Sequence, residues 1–254
     1  DPPVQSVVFA KIPRCPQSLL DALGEFSVAD LHEALGAIEG RIQLMGPGMR
    51  PIAPNQRIAG QAITSYNYPG DNLMIHAALN IAQKGDVLVL VNGGVPQGAL
   101  WGDVAATFAV QKGIAGIVAD GPVRDTRALR EMGCNVWSTV VSPAHPEKRG
   151  PGAVNVPVVC SGVRVLPGDI IVADDDAVLV IPPRLAEEAV RLARARSQTE
   201  TGIRARLKAG ESLFDILNMQ KMLDAAGVQV VDGEWSEPAG RPAPASGRHD
   251  RSGE

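Results

Sequence analysis

The chain has 254 residues, enough to bury a sizeable core in one large domain with appendages. With 45% hydrophobic, 20% charged and only 4% aromatic residues, it reads as globular, with a core built from Val, Ile, Leu and Ala. A net charge of −4 argues against a dedicated nucleic-acid binder, and no apolar run approaches the ~18 residues of a membrane span. Cys15, Cys134 and Cys160 are odd in number and lack metal-ligand spacing, so buried or free thiols are expected. The opening DPPVQSVVFAKIPRCP lacks a basic start followed by an apolar run, which makes the cytoplasm the expected location.

In chain order, 16–36 reads as one or two helices, with Ser27 as an N-cap and Asp30 as its acidic partner three residues on. Alternation over 57–68 predicts a strand, and 71–85 a helix from Asp71 to a stop at Gly85. DVLVLVN (86–92) is a continuous β-branched run typical of a buried strand. The loop GGVPQGALWG (93–102) then leads to a helix over 103–112 and a strand over 114–120. Short strands follow at 135–142, 154–165, 169–176 and 177–183, with Asp174–Asp176 as a polar hairpin turn. A long helix over 183–210, interrupted near Gly202, and a shorter helical segment over 211–227 complete the order. The expected organisation is one domain over 1–232, with 1–15 as an arm, and a disordered Pro/Gly-rich tail over 233–254. Strands after 135 come without intervening helices, so the expected fold is α/β, a mixed sheet or squat barrel flanked by helices rather than a doubly wound sheet.

One stretch, GDVAATFAVQKGIAGIVADGPVRD (102–125), is apolar in the middle and charged at both ends. A helix of about 15 Å followed by a returning strand of roughly 23 Å brings its ends to one edge of the fold. Asp103 and the pair Arg124–Asp125 are therefore expected to be neighbours. Backbone N–H groups of Gly98, Ala99 and Leu100 before a helix N-terminus suit a carboxylate. Arg124 supplies a planar fork for oxyanions, and Asp125 a hard oxygen for Mg²⁺ or Mn²⁺. Geometry leaves a second reading open, in which Asp103 is an N-cap paired with Arg124 and Asp125 caps a helix from Thr126.

Asp103, twenty intervening residues and Arg124–Asp125 resemble the signature of a family with two kinds of member. One kind is the class II pyruvate aldolases of 4-hydroxy-4-methyl-2-oxoglutarate and 4-carboxy-4-hydroxy-2-oxoadipate; the other is the regulator of ribonuclease activity A. The stretches HEALG (32–36), PGDNLMIHAAL (69–79) and VNVPVVCSGVRVLPGDIIVADDD (154–176) resemble the aldolase branch. That resemblance implies a swivelling β/β/α sandwich, assembly as a homotrimer or homohexamer, and retro-aldol cleavage through a pyruvate enolate, with oxaloacetate decarboxylation as a side activity. By the same resemblance, Asp125 holds a divalent metal (Mg²⁺ or Mn²⁺), Arg124 binds the C2 oxygen, and Gly98 to Leu100 take the C1 carboxylate. Asp103 orients Arg124 or a water, Glu33 and Glu200 come from a neighbouring subunit, and Lys148 meets a distal carboxylate. The implied partners are small 2-oxo acids (pyruvate, oxaloacetate and 4-hydroxy-2-oxo dicarboxylates), with no nucleic acid and no membrane. A ribonuclease-binding regulator and a decarboxylase of another 2-oxo acid are the alternatives. His32 and His76 lie in predicted helices without a second ligand at metal spacing and are read as packed or capping residues.

Overall fold

The structure, a computed structural model, describes residues 6–36, 38 and 43–235. Packing divides the chain into two units, 1–200 and 201–254, where the sequence reading draws one domain to residue 232. Of the expected tail, only 233–235 fall within the described residues.

The first unit begins with β1 (Val7–Val8), α1 (Gln17–Gly24) and α2 (Val28–Gly36). Ser27 separates the helices as expected. Its Oγ accepts from the Asp30 N–H at 3.1 Å and donates to the Asp30 carboxylate at 2.7 Å. After β2 (Arg50–Pro51), the chain alternates through β3 (Ile58–Asn67), α3 (Leu73–Ile81), β4 (Val87–Val91), α4 (Asp103–Lys112), β5 (Gly116–Val123), α5 (Thr126–Glu131) and β6 (Val136–Val141). Strands β3 to β6 pair in chain order, all parallel. Crossovers of one hand between successive neighbours place their helices on one face. Ile75 and Leu79 of α3, Ala106 and Ala109 of α4 and Leu129 of α5 accordingly share a core with Ile63, Leu88, Leu90 and Ile117. The sequence reading has this alternation through the strand over 114–120, and the strands after β6 follow without intervening helices as expected. It carries α5 only as the helix from Thr126 of the capping alternative, since six residues are too few to display a helical period.

The remaining strands, β7 (Gly152–Val154), β8 (Val158–Cys160), β9 (Val163–Val165), β10 (Ile170–Ala173) and β11 (Val178–Ile181), are short. Side chains alternate across each strand. Val87, Val89 and Val118 on the second face of the parallel run therefore meet Cys160, Val165, Ile171 and Val180. The opposite faces of β10 and β11, with Ile170, Val172, Leu179 and Ile181, pack on α1, α2 and the start of α6 (Pro183–Lys208). The layers thus run helix, sheet, sheet, helix, a mixed sheet flanked by helices as expected. Strand β3 joins the layers: one edge pairs with β4, while the other pairs antiparallel with β10 over Ile58–Gln61 and with β7 over Ser65–Asn67.

Helix α6 passes Gly202 without the expected break. Its buried residues, Leu185, Ala186, Ala189, Val190 and Ala193, all lie in the N-terminal half, so the apolar stripe ends before the helix does. In the second unit, Arg206 pairs with Glu211 at 2.6 Å, and α7 (Leu213–Ile216) is capped by Ser212, whose Oγ accepts from the Phe214 N–H. Helix α8 (Met219–Ala225) follows, and neither α7 nor α8 has a buried residue. All three cysteines are free, and burial pushes the Cys134 thiol up to about 11. No helix among the described residues is long and apolar enough to cross a membrane.

Leu90 is fully buried between the parallel strands and the helices beside them. Leu90→Ala is expected to cost about 2–5 kcal/mol, read as a lower urea midpoint with an unchanged slope.

Candidate functional site

Strands β4 and β5 are parallel neighbours, so their C-terminal ends open on one edge, where open α/β sheets hold ligands. The chain leaving β4 crosses this edge as loop 93–102 and starts α4; the chain leaving β5 arrives there with Arg124 and Asp125. A register shift between Ala119 and Pro122 bends the end of β5, and Trp101 then bridges Val123. The Arg124 N–H donates to the Trp101 carbonyl at 2.9 Å. The polar ends of the 102–125 stretch meet as expected. The Asp103 N–H lies 3.3 Å from Asp125 Oδ2, and Arg124 Nε lies 3.4 Å from the same oxygen.

Gly102 makes this approach possible. A Cβ there would stand 2.6 Å from Asp125 Oδ2 and 3.1 Å from Arg124 Cγ. Its φ of −159° suits any residue, so the constraint is space and not conformation. Asp125 sits at the N-cap position of α5 in a left-handed backbone, φ 57° and ψ 31°, yet its side chain makes no capping hydrogen bond. The carboxylate turns instead to Arg124 and the start of α4. The plain capping alternative does not hold, because Gly102 is the N-cap of α4, and Asp125 rather than Asp103 is the ion-pair partner of Arg124 among the described residues.

The expected anion donors need correction. The Ala99 N–H donates to the Ala144 carbonyl at 2.9 Å and the Leu100 N–H to the Pro122 carbonyl at 2.7 Å, so both are committed. Gly98, with φ 71°, serves close packing, since a Cβ there would lie 2.6 Å from Gly70 Cα. Uncommitted N–H groups lie a few residues on. Ala106 is the first residue of α4 to bond back, to the Gly102 carbonyl at 3.1 Å, and Gly102 provides no side-chain cap. The N–H groups of Val104 and Ala105 are thus left without intrahelical partners, at the positive end of the helix dipole.

These residues line a pocket of about 170 Å³, a size for a small ligand. The first turn of α4 and Arg124 contribute to its wall, and so do Asn72, His76 and Lys148. Asp71, expected as the N-cap of α3, yields that position to Asn72. Its Oδ1 accepts from the Leu73 N–H at 2.8 Å, and its Oδ2 accepts from the backbone N–H groups of Arg149 and Gly150. Backbone bonds from Glu147 N–H to Gly70 (2.8 Å) and from Asn72 N–H to Glu147 (3.0 Å) complete a clamp that carries Lys148 to the pocket. His76, read from sequence as a packed residue, belongs to the pocket wall; burial, then the charge of Lys148, lower its pKa. Asn72 and His76 stand one turn apart at the start of a helix that follows a parallel strand, a spacing visible in the sequence.

Glu33 and Glu200 lie elsewhere. Both pair with Arg196, Glu200 at 2.8 Å, and Asp30 stands 3.8 Å from the same guanidinium. Within one chain the two carboxylates are brought to each other across α2 and α6, and neither lines the pocket. Sequence reasoning placed the carboxylates but missed Arg196, whose i,i+4 spacing to Glu200 was the available signal. No group of three or more His, Cys, Asp or Glu among the described residues could hold a metal. A single exposed carboxylate such as Asp125 fits only an ion that keeps most of its waters, which Mg²⁺ does.

Fold and site define an α/β sandwich protein with a small pocket at the C-terminal edge of a parallel strand run, walled by the first turn of α4, Arg124 and Lys148. The chain belongs to the Aldolase/RraA family, whose RraA-like model matches residues 28–180. It is similar to a protein of Halalkalibacterium halodurans named as a candidate 4-hydroxy-4-methyl-2-oxoglutarate aldolase, with 31% identity over 207 residues, 82% of this chain and 98% of that protein. Among solved structures it resembles an uncharacterized protein of Pseudomonas syringae pv. tomato (TM-score 0.71, 31% identity, 80% of this chain and 98% of the other). It also resembles Streptomyces coelicolor RraAS2, described as an unusual member of the RNase ES inhibitor RraA family (TM-score 0.70, 32% identity, 76% of this chain and 100% of the other).

The His76 environment predicts an NMR titration. Its midpoint should fall below the usual ~6.5 of histidine, leaving the ring neutral at neutral pH. Lys148→Met should raise that midpoint by removing a like charge, without restoring it fully, because burial remains.

Proposed function

We propose that the protein is a class II pyruvate aldolase that cleaves 4-hydroxy-2-oxo dicarboxylic acids and also decarboxylates oxaloacetate. The observation that carries this reading is the Asp125 carboxylate, which forgoes capping α5 and stands against Arg124 and the start of α4. Membership of the family and the names of its relatives support the same reading.

In this mechanism the C1 carboxylate of the substrate takes the N–H groups of Val104 and Ala105, and the Arg124 guanidinium meets the C2 oxygen. Nε of Arg124 is engaged by Asp125, which fixes the plane of the fork. Asp125 would hold Mg²⁺ or Mn²⁺, with waters filling the other positions; that ion supplies polarisation of the 2-oxo group when bound. Asp103, on the first turn of α4, orients a water that accepts the C4 hydroxyl proton. The C3–C4 bond breaks, its electron pair passes into the C2–C3 enolate, and C4 leaves as a carbonyl. Arg124 stabilises the enolate until the water returns a proton to C3. Loss of CO₂ from oxaloacetate forms the same enolate.

Glu33 and Glu200 would enter this site from a neighbouring subunit of a homotrimer or homohexamer. Their convergence on Arg196, away from the pocket of their own chain, supports that placement.

The test is pyruvate release from 4-hydroxy-4-methyl-2-oxoglutarate and from oxaloacetate, with Mg²⁺ and with a chelator. Metal-dependent pyruvate is expected from both, and none from either would sink the aldolase reading and favour a contact inhibitor of ribonuclease. Arg124→Ala should lower kcat by roughly 10²–10³ or more, as loss of an oxyanion donor does. Asp125→Ala should abolish activity and metal dependence together. Co-expressing inactive Glu33→Ala and Arg124→Ala chains should restore part of the activity if a complete site draws on two subunits; inactive hybrids would place Glu33 outside the site.

A further inference from the structure

A second cavity, of about 290 Å³, shares no residue with the pocket around Arg124. It lies between β9 with the turn that follows it and β11 with the start of α6, and Val163, Leu166, Val180 and Pro182 give it apolar walls. Gln43 reaches it from beside β11. That residue is 5% exposed, and its Oε1 and Nε2 are both buried without a hydrogen-bond partner among the described residues. Its backbone is committed, because the carbonyl accepts from the Val180 N–H at 3.1 Å and Leu44 bridges Leu179. Buried polar groups are nearly always satisfied, so an amide with donor and acceptor both orphaned at a cavity wall calls for a ligand. Asp169 closes the turn before β10. Its N–H donates to the Leu166 carbonyl at 3.0 Å, and its Oδ2 accepts from the Leu166 N–H at 2.8 Å. Backbone bonds from Gly168 N–H to Ala62 (2.9 Å) and from Ala62 N–H to Asp169 (2.8 Å) tie this wall to β3. Burial raises the pKa of the Asp169 carboxyl against the Leu166 N–H and the charges of Arg164 and Arg184. Both arginines are exposed, so the charged groups stand at the rim of the cavity and the amide at its floor. Two guanidiniums against one carboxylate favour an anion there.

We propose that this cavity is a second ligand site, for a small organic anion whose end opposite the charge carries a lactam or carboxamide edge. The chemistry follows from the groups and is independent of the aldolase reading. The Gln43 amide pairs at two points with a group that presents an acceptor beside a donor, as a lactam does. The apolar walls cover the body of the ligand, and the guanidiniums of Arg164 and Arg184 take its phosphate or carboxylate. Mostly apolar walls with a few placed polar groups are the usual make-up of a small-molecule pocket. A uracil ring that carries a phosphate or a carboxylate has all three parts. A neutral ring leaves the arginines unmatched, and a bare anion leaves the amide unmatched.

The experiment titrates the full chain by calorimetry with uridine 5′-monophosphate and with orotate, which share the ring edge and differ in the anion. Uridine and inorganic phosphate, each lacking one end, are titrated alongside. At least one of the two ring anions should bind roughly tenfold or more tightly than either fragment. Tight binding of orotate alone assigns a carboxylate ligand, and of uridine 5′-monophosphate alone a phosphate. Gln43→Leu should remove that binding and leave the Tm of the free protein unchanged or raised, because an orphaned buried amide costs more than an apolar side chain of similar size. Arg164→Met should weaken the ring anion and leave uridine as it was. Arg124→Ala, in the other pocket, should bind as the wild-type protein does. Ring anions no tighter than the fragments would overturn the site, as would a binding loss in Arg124→Ala or full affinity in Arg164→Met. A lowered Tm in Gln43→Leu would make the amide a structural group and overturn it equally.

Discussion

Strand β3 is committed along both edges, and the layered arrangement depends on that. Its ten residues pair with β4 on one side and with β10 and then β7 on the other. One strand therefore belongs to the parallel run and to the antiparallel layer at once, and it fixes the distance between them. Gly60 shows how tight the junction is, since a Cβ there would lie 2.2 Å from the Gly85 carbonyl. Gln61, in the same segment, holds the Pro13 and Gly168 carbonyls through its amide and accepts from the Cys15 N–H. The strand thus ties the N-terminal segment and the approach to β10 into one buried junction.

From that junction the site follows by direction alone. Parallel strands in chain order deliver successive C-terminal ends to the same edge, so the loop after β4 and the turn after β5 must meet. The chemistry then needs only small local departures: a bulge near the end of β5, a glycine where α4 begins and a left-handed aspartate. Each is a minor cost in a fold whose core lies elsewhere.

The sequence made much of this legible. The apolar run of β4, the helix over 103–112 ending at Gly113 and the capping box at Ser27 stand where their patterns place them. The meeting of Asp103 with Arg124 and Asp125 was likewise readable, because it depends only on helix and strand rise. Backbone commitment was less so. Whether the Ala99 and Leu100 N–H groups are open depends on Ala144 and Pro122, which no local pattern brings near. The clamp by Asp71 on 149–150 escaped for the same reason: its meaning lies in contacts distant along the chain.

The left-handed backbone of Asp125 separates shape from reactivity. Asparagine and glycine accept that conformation as readily as aspartate. The carboxylate lies outside every hydrophobic cluster of the core. The identity of this side chain can therefore change without a change of architecture. The same fold is found in a protein named as a candidate aldolase and in one described as a member of a ribonuclease-inhibitor family.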